Sequence, residues 1–160
     1  MQIQNVTQGS PEWQALRANH NTASEAPAMM GKSKYQSRSA LLEQKATGMV
    51  EEITPAQQAI YDRGHAAEAA ARPIAEEIIG DELFPATALD DDGVLLASFD
   101  GVTMLEDVIW EHKLINDKLR AATVDTLEEH YKIQMDQQLL VSGAEKCLFM
   151  ASDGTKENCV

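Results

Sequence analysis

The sequence predicts an α/β fold. Its core is a mixed central sheet, an antiparallel meander plus one parallel strand, flanked by helices. Three observations carry this. Residues 54–79 hold a long helical pattern, opened by Thr54-Pro55 and closed by Gly80. Residues 83–114 then break into three short apolar runs separated by tight turns, which is how a meander is written. A second helical pattern over 127–142 lies between the third run and a last one at 146–151. A helical crossover of that kind favours parallel pairing with a right-handed connection.

The bulk composition sets the frame. A chain of 160 residues, 44% of them hydrophobic, suits one domain with a real core. No apolar run approaches the roughly 20 residues of a membrane span, and no basic start followed by an apolar stretch marks a signal peptide. Cys147 and Cys159 lie far apart and form no metal-type spacing, so they are expected as reduced thiols in a cytoplasmic protein. The net charge of −13 argues against a nucleic-acid binder until its distribution is considered. Residues 1–50 hold five Lys/Arg against three Asp/Glu, a net of +2; residues 51–112 hold two against fifteen, a net of −13. Residues 113–160 hold six against eight, a net of −2. The acid therefore sits in the middle third, where bound divalent cations would offset it. Most of those carboxylates, such as Asp90 to Asp92, are expected simply to be solvated.

Taken in order, residues 1–10 are polar and aperiodic, a loop or extended arm. Ser10-Pro11-Glu12 starts a helix, with Ser as cap, Pro at the first position and an acid in the first turn. Trp13 and Leu16 point inward and Arg17 lies near its end. Thr22 and Glu25 have capping-box spacing and open a short helix that Gly31 ends. The segment 32–38 is a basic loop with Lys32, Lys34, Arg38 and one aromatic, Tyr35; such a loop is commonly plain surface, but near a phosphate site it could steer a phosphate backbone. Ser37 or Ser39 opens a third helix stopped at Gly48. In the long helix, Ile60, Ala67, Ala71, Ile74 and Ile78 form an apolar stripe. Pro73 has no N–H and clashes with the carbonyl of Ala69, so a kink or break is expected there. Pro85 confines the first strand to an edge or end. Residues 94–99 and 107–114 form the next two strands, and 115–125 a polar connection. Thr126 caps the crossover helix, on which Tyr131, Gln134, Gln138 and Val141 share a face. Residues 152–160 are expected to be disordered or cut short. Met29, Met30, Met135 and Met150 are expected in the core.

Chemistry concentrates at Asp100-Gly101 and Glu111-His112-Lys113. Strand side chains alternate, so Glu111 and Lys113 point the same way. A hairpin would bring Asp100 to the same rim. Two carboxylates and one amine on one rim suit metal-dependent phosphodiester hydrolysis. An exposed Glu/Lys pair on a strand face is the common alternative. Glu68, in an Ala-rich stretch of helix, is either exposed or placed beside a closely packed backbone. His20, His65, His112 and His130 show no helical ligand spacing, so a zinc site is not expected.

Five segments stand in a telling order: Trp13-Gln14-Ala15-Leu16-Arg17 with Thr22-Ala23-Ser24-Glu25; Gly64-His65-Ala66-Ala67-Glu68 with Arg72; Ser98-Phe99-Asp100-Gly101; Glu111-His112-Lys113; and His130-Tyr131-Lys132-Ile133-Gln134 with Gln138. In this the chain resembles the lambda-exonuclease / YqaJ-like phage recombinase family of the PD-(D/E)xK nuclease superfamily, over about residues 13–149. The resemblance implies a restriction-endonuclease-like core that digests duplex DNA from its 5′ end with Mg²⁺, or Mn²⁺ in its place. It implies a single nuclease domain over 1–160, a single-strand annealing protein as partner, and a homotrimer as a candidate assembly. It implies that Asp100, Glu111 and the backbone carbonyl of His112 ligate metal, with Glu68 completing a second site. Lys113 would orient or activate the attacking water, supported by Gln134 with Tyr131 nearby. Arg17 and Ser24 would hold a DNA phosphate. Arg17 suits that task because its planar fork can bond two oxygens.

The sequence departs from the family pattern in three places. Phe99 replaces the usual Pro before the motif Asp, and Leu114 follows Lys113 where a small residue or Cys is usual. Relatives also continue beyond the last strand, so part of the usual C-terminal region is expected to be missing. Two other functions compete with the exonuclease. One is an endonuclease or single-strand DNA nuclease of the same superfamily. The other is a non-catalytic acidic binding module that kept the fold, against which the complete acid/acid/Lys set argues.

Overall fold

The computed structural model describes residues 1–49 and 53–160. A two-residue strand β1 (Gln2–Ile3) precedes α1 (Pro11–Asn19) and β2 (Asn21–Thr22). A 3₁₀ turn leads into α2 (Ala26–Met29), followed by α3 (Arg38–Thr47) and α4 (Pro55–Ile79). The meander is β3 (Phe84–Leu89), β4 (Leu95–Val102) and β5 (Val108–Leu114). Then come a short α5 (Asp117–Arg120), the crossover helix α6 (Glu129–Ser142) and β6 (Lys146–Ser152).

The sheet has the order β1-β3-β4-β5-β6, with β2 added in parallel on β4. The meander pairs antiparallel, and β6 runs parallel to β5 in register from Val108↔Lys146 to Leu114↔Ser152. Alternation along β5 sets up three layers. Ile109 packs with Ala97, Phe99 and Val141 on the α6 side. Trp110 packs with Leu83, Met150, Ala71 and Ala75 on the α4 side. Phe99 and Trp110 are fully buried, which contributes about 1.5–3 kcal/mol each.

The caps form as the sequence predicts. Ser10 accepts from Trp13 N at 3.2 Å, and Ser37 accepts from Ala40 N at 3.1 Å. Thr54 and Gln57 form a reciprocal capping box at the head of α4, which Gly80 ends with φ of 81°.

Several expectations fail, each for a physical reason. The long helix runs unbroken through Pro73. Ala71 and Ala75, on either side of it, are both clamped at 0% exposure against the sheet. The buried stripe of α4 is Ala67, Ala71 and Ala75, while Ile60 and Ile78 are exposed. Small side chains let the helix axis approach Trp110, so alanines rather than isoleucines line the contact. Met29 and Met30 are also exposed, because α2 is a single turn with only Pro27 and Ala28 buried. The crossover helix begins at Glu129, not near Thr126. Thr126 instead closes a turn with Thr123, whose N–H donates to its hydroxyl at 2.8 Å. The first residues do include an extended piece, and it is docked: Gln2 and Ile3 pair with Leu89 and Ala88.

The tail is ordered. Ala151 and Val160 exchange backbone hydrogen bonds at 2.8 and 3.0 Å, and Ser152 bridges to Cys159. Gly154, at φ of 95°, lies so close to α4 that a Cβ there would come 2.8 Å from Ala70 Cβ. The tail packs because that one residue has no side chain.

Candidate active site

The β4–β5 ladder pairs Gly101 with Trp110 and Val102 with Ile109. Two residues further along β5, the N–H of His112 donates to the Asp100 carboxylate at 2.7 Å instead of to a strand carbonyl. Asp100 therefore occupies the point where a side chain takes over from the backbone ladder. Glu111 and Lys113 do share a face: the Lys113 ammonium donates to Glu111 Oε1. The other donors to Glu111 come from α6. Gln134 Nε2 donates to Oε1 at 2.6 Å, and Gln138 Nε2 donates to Oε2 at 2.6 Å. The two glutamines lie four residues apart, so one helix face presents both.

The acids are crowded. Glu111 is 3% exposed. Burial and then the Glu111 charge push the Asp100 carboxyl up to about 8, against a weaker downward pull from Lys113. Burial also raises Glu68, which Arg72 and His65 counter. For Lys113, burial works to lower the pKa, but the charges of Glu111 and Asp100 outweigh it and hold the ammonium above its ordinary value. His112, on the face opposite Glu111, is pushed down to about 4 by burial and by the Lys113 charge; its ring bonds Ser152 Oγ at 2.8 Å.

Glu68 borders this cluster: its charge helps raise Asp100, and the charges of Glu111 and Lys113 act on it. Its carboxylate is held by Arg72 on the same helix at 3.4 Å, and the Arg72 guanidinium lies over the Trp110 ring. Among the described residues no three His, Cys, Asp or Glu side chains are gathered closely enough to hold a metal ion. Arg72 engages the Glu68 carboxylate, while the Lys113 ammonium and two glutamine amides hold the Glu111 carboxylate. The donor set still fits a divalent cation in kind. It is made of hard oxygens, the type Mg²⁺ and Mn²⁺ prefer. The Asp100 carboxyl is raised because it is buried and faces Glu111 with only partial compensation from Lys113, and a cation would add to that compensation.

The phosphate candidates come together on the other side. Arg17 Nη2 donates to Ser24 Oγ at 3.1 Å, and the guanidinium lies 4.5 Å from the Trp13 ring centre. Trp13 is anchored to β4 through its indole N–H, which donates to Ser98 Oγ at 2.9 Å. Lys45 ties down the backbone here, donating to the carbonyls of Arg17 at 2.6 Å and His20 at 2.9 Å. A cavity of about 220 Å³ joins the two halves: Ser24, Lys113, Tyr131 and Gln134 all line it, with Tyr35 and His130 at its wall. Arg17, Glu68, Asp100 and Glu111 lie outside that lining.

The basic loop borders the same cavity, with its lysines engaged. Lys34 bonds both Glu128 oxygens at 3.1 and 2.9 Å, and Lys32 pairs with Glu129 at 3.1 Å. Three residues enter the site without having been assigned to it from sequence. Tyr35 is 77% exposed and meets His130 edge-on at 5.9 Å. Gln138 is buried behind Glu111; its spacing of four from Gln134 was the signal that could have found it.

A family model for the YqaJ-like viral recombinase domain matches residues 12–145. The chain belongs to that family. The resemblance to the lambda-exonuclease / YqaJ-like family read from the ordered segments therefore holds. Two crystal structures of an alkaline exonuclease from Laribacter hongkongensis, LHK-Exo, one of them in complex with dAMP, share its fold at a TM-score of 0.72. Each is 24% identical to this YqaJ-like chain and covers 94% of it, while the chain covers 80% and 79% of theirs. At that identity the likeness speaks for the fold, and it supports the restriction-endonuclease-like core. No curated protein sequence matches the chain.

Proposed function

We propose that this YqaJ-like domain is a metal-dependent DNA exonuclease, hydrolysing phosphodiester bonds of linear duplex DNA from the 5′ end in phage-type recombination. The observation that carries the reading is the shared cavity. It puts Ser24, bonded to Arg17, in one space with Lys113 and Gln134, both bonded to Glu111. A phosphate held by Arg17 and Ser24 would place the neighbouring backbone within reach of Lys113.

Asp100, Glu111 and the backbone carbonyl of His112 would hold a Mg²⁺ or Mn²⁺ ion, and Glu68, released from Arg72, would complete a second site. Such an ion supplies charge neutralisation on the phosphate and lowers the pKa of bound water. In hydrolysis a water oxygen joins phosphorus, the bond to the departing sugar oxygen breaks, and that oxygen takes up a proton. Lys113, 30% exposed beside the cavity, offers an ammonium to the phosphate oxygens and orients the water. Gln134 keeps one Glu111 oxygen directed toward Lys113. Tyr131, packed between His130 and Phe149, forms the wall against which the sugar-phosphate lies. The same reading takes in a single-strand annealing protein as partner, a homotrimer as assembly, and the host cytoplasm as location. No helix among the described residues is long and apolar enough to cross a membrane.

The test is digestion of 5′-phosphorylated linear duplex with Mg²⁺, with Mn²⁺ and with EDTA, alongside Lys113→Ala. Metal-dependent release of mononucleotides, falling by about 10²-fold or more in Lys113→Ala, is the expected outcome. No release with either metal would sink the exonuclease. Cutting of a closed circle would move the assignment to an endonuclease. DNA binding without cutting would leave the acidic binding module.

A further inference from the structure

We propose that Gln138 is a positioning residue: it fixes the plane of the Glu111 carboxylate in the orientation that receives a divalent cation. The inference rests on the nuclease reading above and adds a residue to that site.

Gln138 is 1% exposed, and its amide is fully spent on one side and empty on the other. Nε2 donates to Glu111 Oε2 at 2.6 Å and to the Ser98 carbonyl at 3.1 Å. Its own Oε1 is buried and has no hydrogen-bond partner among the described residues. Turning the amide over cannot rescue this oxygen, because it would then face a carboxylate and a carbonyl, both acceptors. The surroundings therefore dictate the orientation, and the orphan is its consequence. A buried acceptor without a partner costs about 1–3 kcal/mol. A Met or Leu of similar volume would avoid that cost but would take the donor away from the buried Glu111 Oε2 and the Ser98 carbonyl, so the glutamine is there for the carboxylate it faces.

What the glutamine gains is control of one carboxylate. Gln134 holds Oε1 and Gln138 holds Oε2, both at 2.6 Å and both from the same face of α6. With Lys113 and Gln134 on Oε1 and Gln138 on Oε2, the carboxylate cannot rotate about its Cγ–Cδ bond without losing these bonds. Ser98 completes the frame, since the same amide ties α6 to β4 beside Asp100. Carboxylates that bind metal are themselves held by hydrogen bonds, and loss of such a partner costs about 10–100-fold in metal affinity or activity.

Gln138→Met keeps length and volume while removing both donors and the orphan. Three measurements separate the outcomes: Mn²⁺ binding to the protein alone by electron paramagnetic resonance, kcat and KM on 5′-phosphorylated duplex, and thermal melting in EDTA. Mn²⁺ binding about tenfold weaker or more is expected, with kcat down by a similar factor and KM for DNA within roughly twofold of wild type. A variant that melts lower but keeps Mn²⁺ affinity and kcat within roughly twofold, per folded molecule, would show a packing role and overturn the proposal. If Gln138→Met does not fold, Gln138→Asn withdraws the amide from Glu111 while keeping its polarity, and the same comparison applies. Wild-type digestion with an unaffected variant sinks this inference alone. A wild type that neither digests DNA nor binds Mn²⁺ sinks the nuclease reading and this inference with it.

Discussion

Replacing Asp100 by Asn should stabilise the metal-free protein. Asn keeps an oxygen that can accept the His112 N–H, now accepted by Asp100 at 2.7 Å, so the strand junction survives. What changes is the proton. Burial and the Glu111 charge move the Asp100 carboxyl from 3.8 to about 8. Between those values the folded chain holds a proton that the unfolded chain has released. The folded state binds more protons, so its stability falls as pH rises through that window, by up to about 1.4 kcal/mol per unit. Asn has no such proton to lose. The variant should therefore gain on wild type by up to about 2.7 kcal/mol between about pH 5 and about pH 7, and the difference should flatten above about pH 8. Urea unfolding of both proteins in EDTA across that range measures it, and the other titrating groups largely cancel in the difference. Mn²⁺ should reverse the order. At a hundred times its dissociation constant it adds about 2.7 kcal/mol to wild type and little to Asp100→Asn. A difference that does not change with pH, or a variant less stable than wild type at about pH 7 in EDTA, would refute the electrostatic account. Equal stabilisation of both proteins by Mn²⁺ would remove Asp100 from the metal site.

Two further outcomes follow from the geometry. Arg17→Ala should weaken binding to 5′-phosphorylated duplex and make the log–log salt dependence shallower by roughly one, as read by fluorescence anisotropy; an unchanged slope would take Arg17 off the phosphate. Gly154→Ala should destabilise the fold by about 2–4 kcal/mol, because it adds the strain of a positive φ to a contact with Ala70 that a real Cβ cannot make. A melting temperature equal to wild type would mean that the tail does not pack on α4 as described.

The fold was legible wherever local rules and global packing agreed. Thr54-Pro55 and Gly80 mark both ends of α4 because capping chemistry is local, and they hold in the structure. The meander and the parallel β6 follow from turn spacing and crossover handedness. Reading failed where packing overrode a local preference. The isoleucines of α4 have more apolar area than its alanines, so a stripe drawn by hydrophobicity chose Ile60 and Ile78. The sheet asked instead for the thinnest helix face, because Trp110 already fills the space between. Pro73 reads as a break for the same reason: its local cost is visible in sequence, while the contacts of Ala71 and Ala75 that keep the helix continuous are not. The tail reads as disordered because its residues are polar, yet Gly154 and a pair of backbone bonds to Ala151 are enough to seat it.

The site divides along the same line. Period two places Glu111 and Lys113 on one face, and the ion pair between them bears that out. Period 3.6 places Tyr131, Gln134 and Gln138 together on α6, and all three do turn toward the sheet. Periodicity could not say which polar residues on that face are spent on solvent and which on Glu111. A glutamine costs little in water and a good deal when buried with one oxygen unpaired, so burial turns the second amide from a solubilising residue into a structural commitment. Glu68 shows the converse. Its order in the chain matches the other site residues, but order says nothing of the neighbour four residues on. Arg72 meets its carboxylate on the same helix at 3.4 Å. The pair is partly exposed, so breaking it costs about 1 kcal/mol or less. So weak a pair does not commit the Glu68 carboxylate to Arg72 alone, and its charge still acts on Asp100 across the site.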